Sequence, residues 1–228
     1  MAINISDLSI ILLIIAIPIL STIFLYLTYF ICTIIPNKNN LTGKDVAKSI
    51  LEANDLDDIN VGKTSGLLSD YYSNSGNVIM LSSGIYDKQS IASAAVAAHE
   101  CGHAIQYSVG YKPIMIRNKI VPIINFGSNI GYIIIIIALT TKYSILFWPG
   151  LVFTSLALVF QLLTLPIEFN ASKRGKQQLK ELGLIENTEK LGVSLMLFSA
   201  ALTYVSSLLV EMLQILRYVL IFVNRRDD

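Results

Sequence analysis

Residues 120–167 read IVPIINFGSNIGYIIIIIALTTKYSILFWPGLVFTSLALVFQLLTLPI. Within this stretch two apolar runs, Ile120 to Thr141 and Ile145 to Ile167, are parted by little more than Lys142 and Tyr143. Each run approximates the roughly 20 residues a helix needs to cross the hydrocarbon of a bilayer. So short a connection makes the two neighbours, and a transmembrane helical hairpin is expected. Outward from it, an earlier run, Leu8 to Ile35, is longer still and contains Pro18, which a membrane helix tolerates. A last run, Leu191 to Val223, is interrupted by Glu211 and Arg217, which are expected to pair with each other or to face the bundle interior. It reads as one spanning helix with an amphipathic lead-in. No Lys or Arg precedes the first run and no small-residue cleavage site follows a short apolar stretch, so a retained anchor is expected rather than a secretory signal.

Composition agrees with this pattern. Of 228 residues, 54% are hydrophobic and 14% charged, where a soluble domain carries about 25% charged residues. The formal charge is +1, from 17 basic against 16 acidic side chains, which leaves no basic surface to follow a phosphate backbone and argues against nucleic acid as a partner. The two cysteines, Cys32 in an apolar run and Cys101 among small residues, are not expected to form a disulfide.

The expected fold is therefore mainly α: a multi-span helical membrane protein with a small α+β, zincin-like insertion on the cytoplasmic side. The segments are a transmembrane anchor (1–36), a cytoplasmic α+β segment (37–119), the transmembrane hairpin (120–167), a cytoplasmic helix (168–190), and a C-terminal amphipathic and transmembrane helix (191–228). Basic residues gather between the first and second runs, from Lys38 to Lys119, and between the third and fourth, from Lys173 to Lys190. By the positive-inside rule both loops are cytoplasmic. The hairpin loop carries only Lys142, as an outside loop should, whereas Arg225 and Arg226 go against the rule.

Within the first loop, Leu41, Val46, Ile50 and Leu51 fall at near-helical spacing, with Thr42 placed as N-cap and Asp45 three positions later. Ile59 to Val61 follows. Leu67 to Tyr72 and Val78 to Leu81 then flank the turn-forming Ser73–Asn77 and read as an antiparallel hairpin. The alanine-rich stretch from Ser90 to Val109, closed by Gly110 and Pro113, reads as a helix.

That helix contains His99-Glu100-Cys101-Gly102-His103. Residues four apart share a helix face at about 5–6 Å between Cβ atoms, so His99 and His103 both direct a ring nitrogen toward one Zn²⁺. Glu100 falls beside that point, placed to act as general base toward a water at the metal. Only two histidines exist in the chain and both are here; two merely packed or exposed histidines are the plainer alternative. A catalytic zinc takes three protein ligands, and with no further histidine the third is a carboxylate or a thiolate. Cys101 points off the ligand face and reads as a packing residue. Glu168, in Leu165-Pro166-Ile167-Glu168-Phe169-Asn170-Ala171-Ser172, is the candidate, because two spans between His103 and Glu168 return the chain to the same side of the bilayer. An interfacial charge marking a helix end is the alternative for Glu168.

Taken together, Leu41-Thr42-Gly43, Ala97-Ala98-His99-Glu100-Cys101-Gly102-His103-Ala104-Ile105-Gln106, Gly110-Tyr111-Lys112-Pro113, Gly127-Ser128-Asn129 and the Leu165–Ser172 segment resemble, in that order, the bacterial membrane neutral zinc metallopeptidases often called YugP-like. The resemblance implies a zinc-dependent peptidase with one catalytic Zn²⁺ held by His99, His103 and Glu168, and with Glu100 as general base. Family members commonly carry a D-H-Y-D stretch where this chain has Asp70-Tyr71-Tyr72-Ser73. More distantly the arrangement is similar to HtpX-like and prenyl-protein endoproteases, whose ExxxD places an aspartate where Ser172 stands here.

The expected partners are the lipid bilayer and peptide or membrane-protein substrates. Tyr71, Tyr72, Tyr107 and Arg174 are the candidate donors to the tetrahedral intermediate, and Asn170 is a candidate for orienting a ligand. Val78 to Leu81 is the candidate strand for pairing with an extended substrate, with ordinary sheet pairing the alternative. Ala94, Ala98 and Gly102 would let another helix approach closely. Two other classes stand beside the peptidase. A site-2-type intramembrane protease would bury its motif in an apolar span and add an aspartate from an LDG-like motif, which the chain lacks; a non-catalytic scaffold would close a four-ligand zinc shell.

Overall fold

The computed structural model describes residues 5–141 and 143–224, with the side chains of residues 5 and 6 left aside. Lys142, Arg225 and Arg226, which entered the orientation argument, lie outside the described residues. The chain runs α1 (Ile5–Ile34), α2 (Gly43–Glu52), β1 (Asn60–Thr64), β2 (Tyr71–Ser73), β3 (Val78–Ser82), α3 (Ser83–Tyr86), α4 (Ile91–Ser108), α5 (Lys112–Thr140), α6 (Phe147–Glu181) and α7 (Lys190–Asn224). Among the described residues four helices, one each at α1, α5, α6 and α7, are long and apolar enough to cross a membrane. The protein is thus mainly helical, with one small mixed sheet.

Two compact units divide the chain. One comprises Met1–Thr22, Met115–Pro166 and Leu202–Asp228; the other comprises Ile23–Ile114 and Ile167–Ala201. In the first unit, α1 and α7 are joined by Arg217 Nε donating to Asp7 Oδ1 at 2.8 Å. The Tyr132 hydroxyl of α5 donates to Glu211 Oε2 of α7 at 3.1 Å, and the rings of Phe147 and Phe222 stack at 3.8 Å between centroids. Glu211 and Arg217 therefore do not pair with each other: each takes a partner from a different helix, which satisfies both groups and fixes α7 against α5 and α1.

The second unit builds its core around α2, the sheet and α4. Thr42 caps α2 as the spacing suggests, its hydroxyl accepting from the Asp45 amide while the Asp45 carboxylate accepts from the Thr42 amide. The apolar face of α2, Val46, Ile50 and Leu51, is buried against Ile79 and Leu81 of the sheet and the alanines of α4. Each such side chain contributes on the order of 1.5–3 kcal/mol, an upper estimate for area removed from water.

The sheet has the order β1-β3-β2. β2 and β3 form the expected antiparallel pair, Tyr72 opposite Ile79, but β2 starts only at Tyr71. Gly66 and Leu68 have positive φ, which breaks the extended backbone, and the Asp70 carboxylate turns back to accept from the Ser82 amide at 2.7 Å and the Ser82 hydroxyl at 3.2 Å. Asn60–Thr64 joins as a parallel strand on the other side of β3. Spacing alone gave no sign of that pairing, because it is closed by chain reversals on either side of β2.

α5 begins at Lys112, eight residues before the apolar run, since Pro113 sits in the first turn, where a missing N–H costs nothing. α6 passes through Ile167 and Glu168 as one helix. α7 is likewise continuous from Lys190.

Candidate metal centre

The site is assembled from two helices of the second unit. α4 starts at a true N-cap, the Ser90 hydroxyl accepting from the Ser93 amide, and its alanine-rich body is buried on nearly every side. Four-residue spacing sets His99 and His103 on one face, their rings 4.8 Å apart and nearly perpendicular. α6 crosses that face at very short range. A methyl group on Gly102 would stand 2.3 Å from the Ala171 carbonyl oxygen, and one on Gly175 would stand 2.5 Å from that of Ala98. Small residues at 98, 102, 171 and 175 are therefore what allow the backbones to touch, the role anticipated for Ala98 and Gly102.

This contact brings Glu168 to the two histidines. Its Oε2 lies 3.3 Å from His99 Nε2 and 3.6 Å from His103 Nε2. The three side chains offer one ligand atom each, all within 4.8 Å of one another.

The outer partners decide the protonation of the rings. Gln106 Nε2 donates to the Ile167 carbonyl at 2.8 Å and to Asn170 Oδ1 at 3.0 Å, which leaves Gln106 Oε1 to face His103 Nδ1 at 3.0 Å. An amide oxygen only accepts, so Nδ1 carries the proton and Nε2 presents its lone pair to the site. His99 Nδ1 lies 3.0 Å from Ser172 Oγ, whose hydroxyl accepts in the same way when Nε2 is the ligating atom. Three acceptor atoms then converge: two ring lone pairs and a Glu168 oxygen that is buried with no hydrogen-bond partner. Such a cluster is unfavourable by itself and is relieved by a cation among them. Two imidazole nitrogens and one carboxylate are also a donor set suited to zinc with one position open.

Glu100 is buried. Burial pushes its carboxyl above the usual carboxylate range, opposed by the nearby rings of His99 and His103. Cys101 faces away from the ligands, its thiol donating to the Ala47 carbonyl of α2 at 3.6 Å, and burial pushes that thiol up. It packs and does not ligate, as its position on the helix implies. Asn170 acts at one remove: its Oδ1 accepts from Gln106 and from Arg174 Nε at 2.8 Å, so it holds the residue that holds His103. Arg174 Nε and the Tyr72 hydroxyl, which donates to Asn74 Oδ1 at 3.3 Å, already have acceptors among the four candidate donors.

The substrate-pairing expectation for Val78–Leu81 does not hold. β3 is the central strand, with β1 and β2 on its two sides, so both its edges are taken. β2 is the edge strand that packs on α4, the Tyr72 ring lying 5.6 Å from that of Tyr107.

Sequence reasoning passed over Gln106 and Ser172 as outer partners. Gln106 follows His103 by three residues and Ser172 follows Glu168 by four, so each shares a helix face with a triad residue of its own helix, but the atom each meets depends on the approach of α6 to α4.

Residues 8–223 match a protein family described as "Putative neutral zinc metallopeptidase". The chain is also 41% identical over 187 residues to "Putative membrane protease YugP" of Bacillus subtilis (strain 168), an alignment covering 82% of this chain and 83% of that protein. No solved structure matches the chain.

Proposed function

Since the chain belongs to the neutral zinc metallopeptidase family, we propose that it is a membrane-bound zinc endopeptidase that hydrolyses peptide bonds beside the cytoplasmic face of the membrane. The observation that carries this reading is the convergence of His99 Nε2, His103 Nε2 and the unpartnered Glu168 oxygen, each ring having its other nitrogen tied to an acceptor. These three residues would hold one zinc ion, which when bound would supply Lewis acidity toward a carbonyl and acidify water.

The chain's own groups do the rest. Glu100 takes the proton of the attacking water and returns it to the departing amine nitrogen. Its buried position, which disfavours the ionised form, suits a group that must accept and then release a proton. Gln106 and Ser172 hold the two rings in the ligating tautomer, and Asn170 holds Gln106. β2, an edge strand packed on the metal helix, is the place where an extended peptide pairs by main-chain hydrogen bonds. The basic residues from Lys38 to Lys119 and from Lys173 to Lys190 support a cytoplasmic site through the positive-inside rule. A structural zinc in a non-catalytic scaffold would call for a closed shell, whereas the described cluster offers three ligands.

The test is Glu100→Gln in detergent-purified protein. Zinc content stays near that of the parent while cleavage of a casein substrate falls by about 10²–10⁴-fold, the usual worth of a general base. Stoichiometric zinc with undiminished cleavage contradicts the assignment.

A further inference from the structure

The sheet and the metal triad belong to one compact unit, and the hydrogen-bonding parity of that sheet singles out one residue of its edge strand. β1 and β3 pair in parallel, Asn60 opposite Val78 and Gly62 opposite Met80, and the Asn60 amide donates to the Asn77 carbonyl at 3.1 Å. In such a ladder every second residue of a strand turns both main-chain groups to the same neighbour, so Ile79 and Leu81 address β1. Val78, Met80 and Ser82 therefore address β2, and the Ser82 amide accordingly donates to the Asp70 carboxylate just before that strand. Tyr71 opposite Met80, and Ser73 opposite Val78, are then the residues of β2 that exchange main-chain bonds with β3. Tyr72, opposite Ile79, has its N–H and C=O directed away from the sheet. Among the described residues no other main chain takes up either group.

The Tyr72 side chain gives that edge its chemistry. It shares a sheet face with the buried Ile79, and its ring lies 5.6 Å from that of Tyr107 on α4, tilted by 58°. The Tyr72 hydroxyl donates to Asn74 Oδ1 at 3.3 Å, which steadies the ring. Tyr107 follows His103 by four residues and so stands on the ligand face of α4, about 6 Å further along the axis. Tyr71 points to the opposite face of the sheet and is 49% exposed. Residues opposite each other on adjacent strands put their side chains on one face, about 4.5–5.5 Å apart at Cβ. A peptide residue opposite Tyr72, whichever way the peptide runs, therefore sets its side chain beside the Tyr72 ring, on the face where Tyr107 lies. The peptide residues before and after it point the other way. An extended chain covers the 6 Å from Tyr107 to His103 in about two residues, so this one position falls near the bond presented to the metal.

We infer that Tyr72 and Tyr107 form a subsite that selects peptides carrying one bulky apolar or aromatic residue opposite Tyr72, close to the bond presented to the metal. Two partly buried rings offer apolar area and ring faces to such a side chain and no partner to a charged one. The inference rests on the peptide-pairing role proposed above for β2, and adds which residue type is read there and by which side chains.

Recognition is read apart from chemistry in the zinc-loaded Glu100→Gln protein, purified in detergent. Fluorescein-labelled peptides of serine and threonine, carrying Phe, Leu, Ala or Asp at one central position, are titrated by fluorescence anisotropy. The Phe and Leu peptides are expected to bind about tenfold tighter than the Ala and Asp peptides. In the same background Tyr72→Ala and Tyr107→Ala each reduce that ratio to about threefold or less, whereas Tyr72→Phe and Tyr107→Phe keep it. Zinc content and circular dichroism establish that each variant is folded; should Tyr72→Ala fail, Tyr107→Ala carries the test from the helix side. A ratio near one in the starting protein, a ratio that survives both alanine variants, or one that Tyr71→Ala abolishes instead overturns the inference, and does so even if the parent cleaves casein. Selective binding lost in the alanine variants, with no cleavage by the parent, upholds the subsite and overturns the peptidase reading.

Discussion

Gly102 of α4 meets the backbone of Ala171 so closely that a Cβ there would lie 2.3 Å from the Ala171 oxygen and 2.9 Å from its carbonyl carbon. Both obstructing atoms are main chain, so no side-chain rotation relieves the clash. Gly102→Ala is expected to push α6 away from α4, at a cost of about 1–3 kcal/mol, and to carry Glu168 away from the histidines. Equilibrium dialysis against zinc, paired with a thermal melt in detergent, checks this. Affinity for zinc and the melting midpoint fall together, whereas unchanged zinc affinity would mean that the helix contact does not position the ligand.

Outer partners are expected to matter through the rings they hold. Ser172→Ala removes the group opposite His99 Nδ1, and Gln106→Ala removes the acceptor of His103 Nδ1. Each should weaken zinc affinity by about 10–100-fold with helicity kept. Gln106→Ala is the more disruptive of the two for stability as well, because it removes a buried donor from the Ile167 carbonyl and from Asn170, which keeps only Arg174. Ser172→Asp, which places a carboxylate opposite His99, should bind zinc at least as well as the parent; weaker binding would contradict the assigned contact.

Much of this arrangement was legible in the chain, and what was not has physical causes. The Thr42–Asp45 cap, the alanine-rich helix ending at Gly110, the four apolar helices and the triad of His99, His103 and Glu168 all rest on local spacing or on counting spans, which the sequence carries. The parallel partnership of Asn60–Thr64 with Val78–Ser82, and hence the central place of β3, depends on pairing at a distance. The same holds for Glu211 and Arg217, expected either to pair with each other or to face the bundle interior, whose partners on other helices are Tyr132 and Asp7. Gln106 and Ser172 acquire their roles only once Gly102 and Gly175 have drawn the two helices together.

A separate prediction concerns Asp70, whose carboxylate accepts twice from Ser82. Burial, against those hydrogen bonds, holds its carboxyl above the usual aspartate range. A carboxyl raised in the folded state contributes stability that is fully present below its unfolded value, about 3.9, and is lost as pH rises through the folded value. Asp70→Asn keeps an acceptor for the Ser82 amide and cannot ionise. Its melting midpoint relative to the parent should therefore rise as the pH is raised from about 4 toward neutrality. A difference that stays flat with pH would contradict it.

Glu168→Ala is expected to lower zinc affinity by more than either outer-partner variant, since it removes a ligand atom and leaves two imidazoles alone. Isothermal titration in detergent with a competing chelator measures it. Parent-like affinity would assign the third ligand elsewhere.

The central claim, one zinc ion held by two imidazoles and the Glu168 carboxylate, is tested most directly by zinc K-edge X-ray absorption on the detergent-purified protein. The account predicts one zinc per chain in a shell of nitrogen and oxygen at about 2.0–2.2 Å, two of the scatterers being imidazoles, with a changed shell in Glu168→Ala. A sulfur scatterer near 2.3 Å, or a shell that Glu168→Ala leaves unaltered, would contradict it.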